Sequence, residues 1–373
     1  MRIAIVINTS WNIYNFRKGL ILALLEKGHE VVAIAPTDEY SPKLKEIGCQ
    51  FIPIKMSGTG ANPLSDCRTL LQLRKTYKRV SPHVVLHYTI KPNIYGTLAA
   101  SSLSIPCINN VSGLGTVFLD KGFASSVAKA LYKLSFKKAS LIFFQNPDDQ
   151  KDFIDETGLI NINQDLLPGS GVDLKHFIPK EKSREGKFTF LMIARVIVEK
   201  GIYEYITAAK QLLKTNKNIE FQLIGSIEQK HSRGISKDEV DNWVSHGVVN
   251  YLGTKSDLRT HIAESDCIVL PSYREGTPKT LLEAAAMAKP IITTNTPGCR
   301  EIVRDNYNGL LCEVKSADDL AAKLKSMVNM KPNSRNNLGL NGRKLVEERF
   351  DEKIVIDKYL EHISNIIIQR PKK

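Results

Sequence analysis

The chain has 373 residues, of which 42% are apolar and 24% charged, and a formal net charge of +13 at pH 7. This length predicts two domains of ~150 residues with large cores, and the composition excludes a wholly disordered protein. No apolar run reaches the ~18 residues of a membrane-spanning helix, and the apolar stretch 2–7 is too short for a signal peptide. The six cysteines form no C-x-x-C pair, which indicates a reduced, cytoplasmic protein without structural zinc.

Strand and helix patterns alternate along the first half of the chain. Helical stretches such as 16–27, whose leucines follow a period near 3.6, separate runs that are apolar throughout. Such runs indicate parallel strands that helices bury on both faces. The strands predicted in this half are 2–7, 30–35, 49–55, 83–89, 106–111 and 140–145.

A second series of strands follows a break at 171–187, where Gly171, Pro179 and a charged run predict an interdomain linker. Its strands are 188–194, 219–225, 248–253, 267–272, 290–295 and 309–314. The sequence thus predicts an α/β protein with two doubly wound Rossmann-like domains, 1–170 and 188–350. A C-terminal helix within 351–373 is expected to pack back toward the N-terminal domain. Ligands of such sheets bind beyond the carboxyl ends of the strands, so two facing sheets would line a central cleft.

The positive charge is concentrated in the first half. From Asp66 to Pro147, eleven Lys and Arg residues are opposed only by Asp66 and Asp120. Two predicted helices, near 64–80 and 124–138, carry most of it, mixed with leucines. Such helices suit an anionic membrane surface, although solvated helix faces on a basic protein would look the same. No recognition helix, zinc finger or RNA platform is present, so we expect no nucleic-acid partner.

The segment 270–290 reads LPSYREGTPKTLLEAAAMAKP and has the richest chemistry. A strand end is followed by a loop and then by a helix from about Lys279 to Ala288, with Pro278 in its first turn and Thr277 as a possible cap. The free amides of this helix start favour an anion such as a diphosphate. Glu275 and Glu283 can both reach one ligand and accept hydrogen bonds from sugar hydroxyls; alternatively they are a capping acid and a solvent-facing Glu.

Two cations follow the first strand of the second domain. Arg195 comes directly after the strand and Lys200 opens the next helix. An Arg fork and a Lys point charge at a strand end suit a diphosphate. The alternative is a surface pair of Lys200 with Glu204, four residues later.

These motifs together resemble the family-4 retaining glycosyltransferases, enzymes of the two-domain GT-B fold. The resemblance rests on the strand-end Arg195 with Glu199-Lys200-Gly201, on EGTPKTLLE at 275–283, and on matching stretches from about 165 to 315. It implies that Arg195 and Lys200 bind the nucleotide diphosphate and stabilise its charge as it leaves, and that Glu275 contacts the donor sugar. Glu283 would hold the ribose. The further donor-binding positions that it implies are Gly225, Gly276, Thr277, Pro278, Lys279 and Thr280.

No Asp-x-Asp occurs in the sequence, so the metal-binding device of the other large glycosyltransferase fold is missing. Arg195 and Lys200 would replace the metal by stabilising the charge on the leaving phosphate. We therefore expect a transferase with no cofactor and no metal, with the UDP-sugar as donor substrate.

The N-terminal domain departs from the family pattern at Ser112, which stands where many members have a His before a Gly-Leu-Gly-like turn. Ser112 either does a weaker version of that job or is only a turn residue. A subset of the family, N-acetylhexosaminyltransferases acting on undecaprenyl-diphosphate sugars, tolerates this change and resembles the chain at 12–17, 91–93 and 113–115. The acceptor-binding candidates are Asn12, Tyr14, Arg17, Lys91, Ser112 and Gly113. Arg17 and Lys91 both follow strands and are candidates to hold the acceptor's diphosphate, but either could equally be an ordinary surface cation. His87 is expected to be a core residue.

The resemblance implies a retaining glycosyltransferase on the cytoplasmic face of the cell membrane. The donor would be a UDP-sugar, and we expect a UDP-N-acetylhexosamine. The other partners would be a polyprenyl-diphosphate-linked saccharide as acceptor and the anionic membrane surface. The alternatives are a UDP-sugar 2-epimerase-like isomerase on the same fold, a transferase with a soluble acceptor, and a non-catalytic basic binding protein.

Overall fold

A computed structural model describes residues 1–57, 62–114, 123–183, 186–229 and 231–368, with only the backbone for residues 123 and 124. The chain forms two compact units, one of residues 1–170 together with the segment from 352 onward, the other of residues 171–351. Residues 171–187, predicted as a linker, are counted with the second unit, and Val172 and Phe177 are buried in its core. Gly115, Asp120 and Lys121 of the sequence motifs lie outside the described residues.

The first unit contains a parallel sheet in the order β3-β2-β1-β4-β5-β6-β7. Six of these strands correspond to predicted ones, and the seventh was missed because β7 is three residues long and half-buried, with no apolar run. The strands are β1 Arg2–Val6, β2 Glu30–Ala35, β3 Gln50–Pro53, β4 Val84–Tyr88, β5 Cys107–Val111, β6 Leu141–Phe144 and β7 Gln164–Leu166.

Helices cover both faces of this sheet. The first begins at Ser10, not near residue 16 as predicted, because Thr9 caps it by accepting a hydrogen bond from the Asn12 amide. It buries Ile13, Leu20, Ile21 and Leu24. The helices before the second unit are α1 Ser10–Glu26, α2 Ser41–Glu46, α3 Pro63–Val80, α4 Thr97–Ser101, α5 Phe123–Phe136 and α6 Pro147–Thr157, with a π-helical turn at Pro92–Gly96.

The second unit repeats the plan with a parallel sheet in the order β10-β9-β8-β11-β12-β13. Its strands are β8 Phe188–Ile193, β9 Ile219–Ile224, β10 Asn250–Tyr251, β11 Cys267–Leu270, β12 Ile291–Thr294 and β13 Gly309–Cys312. Its helices are α7 Ile202–Thr215, α8 Lys237–Ser245, α9 Arg259–Glu264, α10 Lys279–Ala286, α11 Ala317–Asn329 and α12 Pro332–Arg349, with a short 3₁₀ turn at Val198–Lys200.

The last described helix, α13 Glu352–Ile368, belongs to the first unit. Tyr359 lies edge-on to Phe143 of β6, with ring centroids 4.8 Å apart, and Lys358 forms an ion pair with Asp165 of β7 at 2.9 Å. None of the described helices has the length and hydropathy needed to cross a bilayer.

Each sheet reverses its strand order once, between β1 and β4 in the first unit and between β8 and β11 in the second. The prediction of two doubly wound α/β domains is confirmed. In such sheets the connections on either side of the reversal leave to opposite faces, which opens a crevice beyond the carboxyl ends of those two strands. The side chains that follow β1, β4, β8 and β11 are therefore the ones positioned to bind ligands.

Candidate active site

The structure brings Lys200 and Glu275 into direct contact. Their side chains form an ion pair and hydrogen bond between Nζ and Oε1, and each is mostly buried, with 19% and 12% of its surface exposed. Lys200 ends the 3₁₀ turn after β8, and Glu275 lies on the loop after β11, so the pair sits at the strand reversal of the second sheet. The alternative of a surface pair of Lys200 with Glu204 is wrong, because Lys200 pairs with Glu275 and Glu204 accepts a hydrogen bond from the Tyr273 hydroxyl at 2.9 Å.

Backbone hydrogen bonds fix the two loops relative to each other. The Tyr273 amide donates to the Glu199 carbonyl at 2.9 Å, and the Ser272 hydroxyl donates to the same carbonyl at 3.1 Å. Because Glu199 precedes Lys200, these bonds hold the 3₁₀ turn against the loop that carries Glu275. Cys299 lies close enough for Glu275 and Lys200 to influence its pKa, although burial is what chiefly raises that pKa to about 12.

The loop after β12 packs against the loop that carries Glu275 and supports it. The Thr296 hydroxyl donates to the Tyr273 carbonyl at 2.8 Å, and the Glu275 amide donates to the Pro297 carbonyl at 3.2 Å. Gly298 has a φ of +85°, and a Cβ there would collide with the Glu275 carbonyl and approach the Gly276 carbonyl oxygen to 2.6 Å. Only glycine fits this close approach. Sequence analysis missed Gly298, whose single signal is the Pro-Gly pair after a predicted strand.

Arg195 is exposed, directly beyond β8. Gly225 directly follows the neighbouring strand β9, and a Cβ there would collide with the Ala194 carbonyl, so glycine allows the two strand ends to lie together. The Tyr251 hydroxyl donates to the Gly225 carbonyl at 2.7 Å and holds this end in place. Arg195 is therefore an exposed residue next to a strand end that hydrogen bonding and close packing hold in place.

Helix α10 begins after Pro278, which occupies the N-cap position without a side-chain capping bond. The expectation that Thr277 caps this helix is wrong, since its hydroxyl donates to the Gly276 carbonyl at 2.9 Å. Pro278 has no amide proton, so a phosphate at this helix start would be met by the amides of Lys279 and Thr280. The first amides of any helix lack intrahelical acceptors, which is what makes such an end suitable for an anion.

Glu283 is buried in α10, with 5% of its surface exposed. The alternative of a solvent-facing Glu is therefore wrong. Burial raises the pKa of the Glu283 carboxyl to about 7, although the Lys279 ammonium, 3.7 Å away, acts in the opposite direction. Because a buried carboxylate is poorly solvated, a hydrogen-bond donor on a ligand would stabilise its charged form.

Arg17 and Lys91 of the first unit are not surface cations. The Arg17 guanidinium lies over the ring of Tyr88, the last residue of β4, with its Cζ 4.1 Å from the ring centroid, and the residue is 4% exposed. Lys91 forms an ion pair with the buried Asp66 at 2.8 Å, and that carboxylate also accepts a hydrogen bond from the Tyr95 hydroxyl. Both cations lie near the end of β4, at the strand reversal of the first sheet.

The remaining acceptor candidates lie near the same strand ends. Asn12 is in the first turn of α1, and the Tyr14 ring packs against Tyr40 with centroids 5.6 Å apart. Ser112 is exposed after β5, and Gly113 follows with a φ of 132°. His87 is a core residue, as expected: it is fully buried, hydrogen-bonded to Tyr77 and Asn109, and burial lowers its pKa to about 4. Within the described ranges, no cluster of three or more His, Cys, Asp or Glu residues could hold a metal ion.

Two parallel sheets of this topology, with the polar residues at both reversals, define the GT-B class of α/β protein. Sucrose-phosphate synthase from Thermosynechococcus elongatus has the same fold, with a TM-score of 0.83 at 18% identity over 99% of this chain and 100% of that one. HepE from Anabaena, solved with UDP and glucose, gives a TM-score of 0.81 at 16% identity over 98% of this chain and 99% of that one.

The sequence identifies the family. Residues 175–345 match the family "Glycosyl transferases group 1" and residues 2–146 match "Glycosyl transferase 4-like". The chain is 32% identical to an N,N'-diacetylbacillosaminyl-diphospho-undecaprenol alpha-1,3-N-acetylgalactosaminyltransferase of Campylobacter jejuni, over 98% of this chain and 99% of the relative. It is 26% identical to an Escherichia coli UDP-Gal:alpha-D-GlcNAc-diphosphoundecaprenol alpha-1,3-galactosyltransferase, over 81% of each chain. The chain belongs to the family-4 glycosyltransferases.

Proposed function

We propose that this glycosyltransferase transfers a sugar from a UDP-sugar to a polyprenyl-diphosphate-linked saccharide during bacterial surface glycan assembly. The sugar transferred is an N-acetylhexosamine or a related hexose. The observation that carries the proposal is the Lys200–Glu275 pair at the strand reversal of the second sheet. Arg195 precedes Lys200 by five residues and follows the same strand. Two relatives support the substrate class, because both are named for transfer to a diphosphoundecaprenol-linked sugar. All the relatives named are transferases, which favours transfer over epimerisation.

The donor would bind to the second unit. Arg195 and Lys200 would bind its diphosphate together with the α10 amides, Glu283 would accept hydrogen bonds from the ribose hydroxyls, and Glu275 would contact the sugar. Breaking the bond between C1 and the phosphate oxygen leaves negative charge on the β-phosphate. Cations that are already in place stabilise that charge without further reorganisation. The donor chemistry thus needs no metal in this proposal.

We infer that the configuration at C1 is retained. The acceptor hydroxyl would attack C1 on the face from which the diphosphate departs, so that one C–O bond breaks as the other forms. The proton of that hydroxyl passes to an oxygen of the leaving β-phosphate, which balances the charge. No protein nucleophile is required by this path.

We further propose that the protein is peripheral on the cytoplasmic face of the cell membrane, and two helices of the first unit support the contact with a membrane surface. Helix α3 exposes Leu64 and Leu71, of which 75% and 60% of the surface is accessible, and its exposed positions recur at helical spacing. The exposed basic residues of this face are Arg68, Arg74, Lys75, Lys78 and Arg79. Helix α5 and the turn after it similarly expose Leu134 with Lys133, Lys137 and Lys138. Apolar side chains among cations suit anionic headgroups.

The substrate assignment is tested with purified protein, a panel of UDP-sugars and synthetic polyprenyl-diphosphate saccharides, scored by product mass. We expect one UDP-sugar to give an acceptor enlarged by one sugar, with UDP as the second product. The same saccharides without the lipid diphosphate serve as the control acceptors and should react far more slowly. Products formed equally well on free saccharides would contradict the lipid-linked acceptor, and a changed donor without acceptor would indicate an epimerase.

The membrane assignment is tested by sedimentation with vesicles of phosphatidylglycerol and phosphatidylcholine. Because each basic residue contributes about 1 kcal/mol, changing Lys75, Lys78 and Arg79 to Gln should weaken binding to the anionic vesicles about 100-fold. The matched control changes Lys210, Lys214 and Lys325, which are exposed on the second unit. Equal losses in both variants would show that only net charge matters and would contradict a docking face on α3.

A further inference from the structure

Arg17 is a buried cation without a counter-charge. Its residue is 4% exposed, its Nε has no hydrogen-bond partner, and the described part of the chain offers it no ion pair. Removing a guanidinium from water is expensive unless hydrogen bonds and an opposite charge replace the water. The Tyr88 ring supplies attraction through its face, 4.1 Å away, but a ring accepts none of the N–H donors of the guanidinium.

The surroundings of Arg17 have other marks of a binding site. It lies on α1, which follows β1, and it covers the end of β4, so it sits at the strand reversal of the first sheet. Directly after Tyr88, Thr89 has a φ of +65°, which is strained for a β-branched residue. The π-helical turn Pro92–Gly96 follows, and the buried Oδ1 of Asn93 within it lacks a hydrogen-bond partner. Strained backbone and π-turns are concentrated at functional sites.

Neither the start of α1 nor Lys91 provides the same unsatisfied charge. The amides of Trp11 and Asn12, at the start of α1, already donate to Asp38 and Thr9. Lys91 is neutralised by Asp66. Among the described residues at this end of the first sheet, Arg17 is therefore a buried cation whose charge is not neutralised by an acidic side chain.

We propose that Arg17, positioned by Tyr88, is the anion-binding residue of the first unit and takes a diphosphate group, that of the polyprenyl-linked acceptor. This inference rests on the proposed function. A guanidinium matches phosphate oxygens with two parallel hydrogen bonds and keeps its charge at every relevant pH. The diphosphate of the donor is the other ligand that could bind to Arg17. The proposed function assigns that diphosphate to Arg195 and Lys200 on the second unit.

The test compares Arg17→Met with Lys18→Met, which removes the same charge from the neighbouring, exposed position of α1. In Arg17→Met we expect kcat/KM for the lipid-diphosphate acceptor to fall about 10- to 100-fold. The Kd for UDP and the slow hydrolysis of the UDP-sugar without acceptor should stay within twofold of the original protein. Arg17→Lys, which keeps the charge and loses the fork, should give an intermediate kcat/KM. Lys18→Met should leave all of these unchanged.

Thermal unfolding separates this role from a structural one. Because the free protein contains an unpaired buried charge, Arg17→Met should unfold at the same temperature as the original protein or higher. A lower melting temperature with equal losses toward acceptor and UDP would show that Arg17 only supports the fold and would overturn the inference. An unchanged kcat/KM for the acceptor would overturn it as well.

A binding measurement keeps the inference testable if no lipid-linked acceptor is used. The protein is saturated with UDP, so that its donor site is filled, and then titrated with inorganic pyrophosphate. Binding by the original protein and by Lys18→Met that is lost in Arg17→Met would support the anion site even if the proposed acceptor is wrong. Equal binding by Arg17→Met, or no binding by the original protein, would overturn it.

Discussion

Lys200 and Glu275 form an ion pair at the place where we propose that the donor diphosphate and sugar bind. Each is mostly buried, and each provides the counter-charge that the other needs while the site is empty. A bound diphosphate would offer Lys200 a second anion, and Glu275 could then turn its hydrogen-bonding capacity to the sugar. In the proposed mechanism, the pair would keep a cation in place for the leaving phosphate and pair its charge while no ligand is bound.

Lys200→Met should lower kcat about 100- to 1000-fold, because a preorganised group facing the leaving phosphate is lost. Lys200→Arg keeps the charge and should retain more activity than Lys200→Met. UDP release at saturating donor and acceptor measures both. The control is Lys210→Met, an exposed lysine on α7 of the same unit. A Lys200→Met enzyme with near-normal turnover would contradict the role assigned to this residue.

Glu283 should make stability depend on pH. Burial raises the pKa of its carboxyl from 4.5 to about 7, so between these values the folded protein holds a proton that the unfolded chain has lost. The free energy of unfolding therefore falls as pH rises through this window, by about 3 kcal/mol for this group alone.

Glu283→Gln removes this titration while keeping the shape of the side chain. Relative to the original protein, the variant should become progressively more stable from pH 4.5 to pH 8, measured by urea unfolding at fixed ionic strength. The variant should also bind UDP less tightly at pH 8, because an amide accepts ribose hydroxyls less strongly than a carboxylate. A difference in unfolding free energy that is constant across this pH range would contradict the raised pKa.

At the scale of elements, three loops form the proposed donor site. The 3₁₀ turn after β8 carries Lys200, the loop after β11 carries Glu275, and the loop after β12 supports the second through Thr296 and Gly298. The strands bring these loops together, because parallel neighbours end at the same edge of the sheet. A change in the supporting loop should therefore disturb the chemistry without touching a ligand.

Gly298→Ala tests this support. The new methyl group would collide with the Glu275 carbonyl, so we expect the Glu275 loop to move and kcat to fall about 10-fold or more. Gly247→Ala is the matched control, since Gly247 also has a positive φ, +65°, but open space around its Cβ. The control should lose about 1 kcal/mol of stability from backbone strain and keep its kcat. Equal activity in the two variants would contradict a positioning role for the loop after β12.

The sequence predicted the elements well because the buried parallel strands are apolar throughout. Twelve strands were expected, and each has a counterpart in the structure. Helix α1 began earlier than predicted, because its first turns interleave Asn12, Asn15 and Arg17 with apolar and aromatic residues and show no clear helical period. Capping by Thr9 and burial by the tertiary fold, not local pattern, fix that start.

At the scale of the whole molecule, two sheets that share the same order over six strands place polar residues at equivalent reversals. Motif and strand order together predicted which residues follow β8 and β11. They could not predict that Lys200 contacts Glu275 and not Glu204, since this depends on the packing of loops 75 residues apart in sequence. Nor could they predict that Arg17 is buried over the Tyr88 ring with no counter-charge among the described residues, because a basic residue on an amphipathic helix usually faces solvent.

The central claim is that Arg195 and Lys200, and not a metal, hold the donor diphosphate. Titration calorimetry with UDP in the presence of EDTA tests it most directly, with the original protein, Arg195→Met and the exposed-site control Lys210→Met. We predict binding by the original protein and the control, unchanged by EDTA, and at least 10-fold weaker binding by Arg195→Met. Absence of UDP binding, its loss in EDTA, or equal affinity in all three proteins would contradict the account.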